Sequence, residues 1–157
     1  MITVEMDQTA LQQVQQRLAG LAPPLIARVY RELRPLLYQS FSSAVQKYFS
    51  SGSPARGTAG DVLTIRSGKL LNSVLDHFEV TRDGATLKIS AGADTPYAHI
   101  QEYGGYTGRK PPFKKKNGHR PYIRPRPYLR PALKDLRELL PEILEQAIQN
   151  AIANPIQ

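Results

Sequence analysis

Apolar residues recur at helical spacing in two long stretches of the chain and at alternate positions in a short stretch between them. Residues 7–20 carry Leu11, Val14 and Leu18 in steps of three and four, and Gly20 follows as a stop, so a short helix is expected there. Pro23-Pro24 breaks the chain and can open a second helix, because proline suits the first helical position. From Leu25 to Phe49 a single stripe runs through Ile26, Val29, Tyr30, Leu33, Leu37, Phe41, Val45 and Tyr48. Pro35 lies inside it and predicts a kink or a restart, since proline removes a hydrogen bond and crowds the preceding turn. A last helix is expected from about Pro131 to Ala153, with Leu133, Leu136, Leu140, Ile143, Leu144, Ala147, Ile148 and Ala151 on one face and a bend at Pro141.

Between these helices the pattern changes. Residues 50–60, rich in Ser, Gly, Pro and Ala, read as a flexible loop. Leu63-Thr64-Ile65 reads as a brief extended segment. Ser67 can cap a short helix to about Leu75, with Leu70, Leu71 and Val74 turned inward. Phe78 and Val80, then Leu87, Ile89 and Ala91, alternate with polar residues and predict two strands, with Asp83-Gly84 as the turn of a hairpin. Thr95-Pro96 is expected to start a short helix as N-cap and first residue, carrying Tyr97, Ala98, Ile100 and Gln101, and Gly104-Gly105 to end it. Pro111, Pro112, Pro121, Pro125 and Pro127 punctuate residues 106–128, so Arg120, Arg124 and Arg126, each before a proline, are expected on extended chain. Residues 106–124 thus read as a basic, proline-rich loop or arm. No internal repeat is present. The order of elements predicts an α+β fold in one domain, residues 1–157. A small antiparallel sheet packs against two long helices, one N-terminal and one C-terminal, with long flexible loops.

Composition narrows the chemistry. The 157 residues contain no cysteine, which excludes disulfides and thiolate metal sites. No secretory signal opens the chain and no apolar run reaches the ~18 residues a membrane span needs, so a soluble protein made in the cytoplasm, with no membrane partner, is expected. The net charge of +8 is concentrated. No acidic residue lies between Glu102 and Asp135, and that interval holds Arg109, Lys110, Lys114, Lys115, Lys116, Arg120, Arg124, Arg126, Arg130 and Lys134. So local a field points to a local anionic partner.

Catalytic signals are missing. His77, His99 and His119 are scattered; His99 and Glu102 share a helical face but have no third ligand at suggestive spacing. The run from Gly60 to Leu70 has the wrong glycine spacing for a phosphate loop, and Leu70 stands where a magnesium-binding hydroxyl belongs. There is no nucleophile elbow and no carboxylate cluster. An enzyme is not expected, nor a cofactor.

Three segments, read in order, resemble a known family. The first is Arg66-Ser67-Gly68-Lys69-Leu70-Leu71-Asn72-Ser73-Val74, similar to a Thr-Gly-x-Leu-x-x-Ser-Ile/Val motif with Ser67 in place of Thr. The second, Gly92 to Gly105, contains Tyr97-Ala98 and Glu102-Tyr103-Gly104 and is similar to a Tyr-Ala-x-x-x-Glu-Phe/Tyr-Gly motif. The third, Ile123 to Leu133, contains Arg126-Pro127-Tyr128-Leu129-Arg130-Pro131-Ala132-Leu133 and leads into the C-terminal helix. The trio resembles the tail-completion, or head–tail joining, proteins of tailed bacteriophages, over about residues 60–153. The basic insert from Arg109 to Arg120 departs from the family pattern.

The resemblance implies a structural virion protein assembled in the host cytoplasm. It would form a ring at the phage neck between the head-side connector or stopper and the tail tube or tail terminator, with genomic DNA passing through. Six copies are implied, with twelve the alternative. Residue roles follow as expectations. Ser67 and Gly68 turn the chain into a helix. Tyr97 and Tyr103 offer contact area to a partner. Glu102 pairs with Arg124 or Arg126, within the subunit or across to the next. Pro125 and Pro127 stiffen the approach to the last helix, and Tyr128 and Leu129 anchor it. The alternative is a nucleic-acid-binding module that uses residues 109–130, with Phe113, Tyr122 and Tyr128 stacking on bases.

Overall fold

A computed structural model describes residues 1–6, 8–50, 63–64, 68–83, 86–106 and 122–154. It has mixed α+β architecture. The chain opens with strand β1 (Ile2–Glu5), then helices α1 (Gln8–Ala19) and α2 (Pro23–Gln46). Two-residue strands β2 (Phe49–Ser50) and β3 (Leu63–Thr64) pair in parallel. Helix α3 (Lys69–Asp76) leads into the antiparallel strands β4 (Phe78–Asp83) and β5 (Thr86–Ala93). Helix α4 (Ala98–Tyr103) is followed by a ribbon of β6 (Gly105–Tyr106) and β7 (Tyr122–Ile123), and helix α5 (Leu129–Ala153) closes the chain.

The main sheet has the order β1-β5-β4, with β5 in the centre. Leu87, Ile89, Ala91 and Ala93 of β5 are all fully buried, as the alternation predicts. Strand β1 is an element the hydropathy pattern left unread: four residues are too few to announce a period. It pairs antiparallel with β5 from Ile2↔Ala93 to Glu5↔Ser90, and Ile2 and Met6 enter the core. Salt bridges at its two ends, the N-terminal amine with Asp94 at 3.5 Å and Lys88 with Glu5 at 2.8 Å, fasten this edge.

Helices α2 and α5 pack chiefly on each other and form the main apolar layer. They run antiparallel. Lys47, just past α2, meets Asp135 near the start of α5 at 3.3 Å, and further along Leu36 and Gln146 line one shared groove. Val29, Leu33, Leu37, Phe41, Ala44 and Val45 of α2 are buried, and so are Leu129, Leu133, Leu136, Leu140, Ile143 and Leu144 of α5. Each large side chain so buried stabilises the fold by roughly 1.5–3 kcal/mol. Phe41 stacks on Phe78 of β4 with ring centres 4.2 Å apart, which seats α2 on the sheet.

Several boundaries differ from expectation. Pro35 does not restart α2: one helix spans 24 residues across it. Pro35 and Pro141 both lie on exposed faces. With the proline rings on the exposed face, the buried stripe on the far side holds each helix together. Asp83 is a strand residue paired with Thr86, not the first turn residue; the intervening 84–85 lie outside the described residues. Thr95-Pro96 does not begin α4 as cap and first residue. The helix starts at Ala98, with Thr95 carbonyl accepting the Ala98 N–H at 3.0 Å. Helix α5 begins at Leu129, two residues before Pro131, whose missing N–H falls within the first turn where no helical acceptor exists. The expected loop at 50–60 lies outside the described residues apart from Ser50 in β2. So do residues 107–121 of the expected arm, whose two flanks form the β6–β7 ribbon.

Candidate functional site

The N-terminus of a helix leaves backbone N–H groups without partners. Helix α5 opens on Tyr128, which cannot cap with its own side chain, and no local cap bond forms. The carboxylate of Glu102, on α4, takes that place. Its Oε2 accepts the N–H of Tyr128 at 2.7 Å and of Leu129 at 3.0 Å, and its Oε1 accepts the N–H of Arg130 at 3.2 Å. The Arg130 side chain adds its Nε–H to Oε1 at 3.0 Å and donates from Nη2 to the Glu102 carbonyl at 3.3 Å. Glu102 is fully buried, while the Arg130 side chain is about half exposed. A buried carboxylate this completely bonded also meets the positive end of the helix dipole.

The surrounding contacts lock the same junction. Ala98 and Glu102, one turn apart, form the inner face of α4. The Tyr128 hydroxyl donates to the Ala98 carbonyl at 3.3 Å, and its ring meets Phe49 edge-on at 5.5 Å. Burial, with the Glu102 charge beside it, pushes the Tyr128 phenol well above its ordinary pKa. The Arg126 N–H donates to the Gln101 carbonyl at 2.7 Å. Gly104 adopts φ 74°, and a Cβ there would lie 2.8 Å from Pro125 Cδ and 3.0 Å from the Ile123 carbonyl oxygen. Only glycine tolerates both the backbone conformation and that approach.

The residues of the three sequence segments are thus largely brought together. Gly68 precedes α3 with φ 69°, Leu70 is buried, and Ser73 Oγ accepts the Asp94 N–H at 2.8 Å, tying the first segment to the second. Tyr97 is exposed and Ala98 buried; Pro127 and Pro131 are half-buried, and Tyr128 and Leu129 are fully buried. Ser67, Arg109, Lys110, Lys114, Lys115, Lys116 and Arg120 lie outside the described residues. Arg124 is exposed and Arg126 half-buried. Neither pairs with Glu102; Arg130 does. The missed signal is legible in retrospect. An arginine in the first turn of a helix opposes the dipole unless a carboxylate is brought to it.

Outward from the junction the surface is aromatic. Tyr97 (40%), Tyr103 (43%), Tyr106 (67%) and Tyr122 (54%) remain solvent-accessible on α4 and the ribbon. Tyr106 and Tyr122 meet edge-on at 5.2 Å, His99 lies against Tyr103 at 5.0 Å, and the Arg130 guanidinium sits 4.8 Å from the Tyr103 ring centre. Among the described residues no three His, Asp or Glu side chains converge to hold a metal. A groove of about 190 Å³ between α1 and α5, lined by Val14, Arg17, Leu140 and Pro141, is smaller than most small-molecule sites. Comparison with family models, with curated proteins and with solved structures finds no match.

Proposed function

We propose that this chain is a structural assembly subunit, a ring-forming protein at the neck of a tailed bacteriophage that joins the head-side connector or stopper to the tail tube or tail terminator. The observation that carries the reading is the Glu102 junction. The three segments that resemble the head–tail joining family meet through Ser73–Asp94 and through Glu102 with residues 128–130. Among the described residues Glu102 is the one buried carboxylate, and it is fully spent on the start of α5, so it has no lone pair to offer a substrate. What the junction presents to solvent is a rim of tyrosines and arginines, the side chains richest in binding energy at protein contacts. Packed helices on a sheet supply the rigid subunit geometry that cyclic, head-to-tail association requires.

Electron microscopy of the purified protein and of virion necks tests this. The expected result is a closed annulus of six copies, or of twelve, with DNA threading its centre. A second reading, a nucleic-acid-binding module, draws on the exposed Tyr106–Tyr122 pair flanking the basic segment. For about five neutralised phosphates it expects log K to fall against log salt with a slope of about −4.5. A persistent monomer with that salt dependence replaces the ring reading; absence of the polypeptide from mature particles removes it.

A further inference from the structure

The molecule carries two solvent-facing surfaces of opposite charge that form no ion pair with each other among the described residues. One is the tyrosine rim with Arg124 and Arg126. In residues 97–106 and 122–134 the sole acidic side chain is Glu102, and it is buried and bonded. The other lies on α5. After Arg137 the helix has no basic residue, and Glu138, Glu142 and Glu145 are all exposed. At 100° per residue these three fall on an arc opposite the buried stripe, so they point straight away from the core.

The fold itself gains little from that stripe. Glu138 and Glu142 are four apart and Glu142 and Glu145 three apart, spacings at which like charges repel. Glu142 and Glu145 have no Lys or Arg three or four residues away on the helix. Arg17 of α1 borders the same surface, yet no ion pair of Glu138, Glu142 or Glu145 forms among the described residues. Glu138, Glu142 and Glu145 follow the last basic residue of α5, Arg137, and so load its C-terminal half with negative charge, the reverse of what a helix dipole rewards. Ile152, 61% exposed, extends the same arc with an apolar side chain.

We infer that the tyrosine–arginine rim of one copy docks on the Glu138/Glu142/Glu145 face of α5 in the next copy, and that this contact is the repeating interface of the ring. The inference rests on the ring reading and names its two complementary surfaces. Charge fixes the orientation, because rim against rim and stripe against stripe both juxtapose like charges. The tyrosines supply the contact area.

The test uses the full chain and two charge-reversed variants, Arg124→Glu with Arg126→Glu, and Glu142→Lys with Glu145→Lys. Analytical ultracentrifugation and native mass spectrometry follow assembly, with circular dichroism as the folding control. Wild type is expected to form the ring. Each variant alone should need at least tenfold more protein to assemble, and an equimolar mixture of the two should recover assembly, because every contact in an alternating ring is then complementary. Variants that assemble like wild type, or a mixture that stays dissociated, overturn the inference and leave the ring standing. Wild type that never assembles removes both. A mixture rescued only to a two-fold dimer keeps the contact and removes the ring. Should either reversal fail to fold, the glutamine replacements at the same four positions are read by the same assay.

Discussion

Glu102 shows how much one side chain can hold when its surroundings use every acceptor it has. Glu102→Ala strips three backbone N–H groups of their partner, two of them buried, and is expected to destabilise the fold by about 3 kcal/mol. Glu102→Gln keeps the shape and an acceptor but loses the charge, and should cost about half as much. Arg130→Met should cost about 1 kcal/mol or less, because half of that side chain is in water. Urea unfolding of the three variants separates cap from ion pair; equal losses for Arg130→Met and Glu102→Ala would show that the ion pair dominates. Tyr128 gives a pH signature. Its phenol is neutral in the fold and holds its proton more tightly there than when unfolded, so its contribution is complete below the ordinary tyrosine value near 10 and is lost as pH rises beyond it. Tyr30, Tyr48 and Lys88 are shifted in the same direction, so wild type should lose stability steadily from about pH 10 upward. Tyr128→Phe should flatten that slope in melting curves taken across this range; an unchanged slope would assign the loss to the others.

At the scale of elements, the long helices were the most legible part of the chain. Their stripes name the core residues of α2 and α5, since burial on one face leaves a 3.6-residue record. Phe41 is central to that layer, fully buried and stacked on Phe78, and Phe41→Ala is expected to cost about 3–5 kcal/mol in denaturant unfolding. A loss under 1 kcal/mol would mean that α2 does not seat on the sheet as described. What escaped the sequence was decided by tertiary contact. Strand β1 exists because β5 offers it an edge, not because four residues insist on a strand. Thr95 has the chemistry of a cap, yet the chain turns once more before α4 begins, and its hydroxyl is left buried without a partner. Glu102 was legible as a residue at a helix end that wants an arginine. Which arginine was not, because Arg130 reaches it only once α4 lies across the start of α5.

For the molecule as a whole, the separation of charge matters more than its sum. Positive side chains gather at the junction end and negative ones along the outer face of α5, so the docking of copies proposed above would be governed by ionic strength while the stability of the body would not. Raising salt from about 0.05 to 0.5 M is expected to weaken assembly by roughly tenfold or more and to leave the melting midpoint of the dissociated subunit nearly unmoved. Sedimentation and calorimetry on the same samples make the comparison; assembly indifferent to salt would point to an apolar contact elsewhere. The β6–β7 ribbon bears on how such a subunit can be altered. Its pairs, Gly105↔Ile123 and Tyr106↔Tyr122, clasp the two ends of residues 107–121 side by side. Closing a tether of twice that length costs only about 0.6 kcal/mol more. A foreign peptide entered between Tyr106 and Tyr122 would begin and end on a clasp already formed, which makes this doorway the natural place for lineages, or engineers, to graft new cargo.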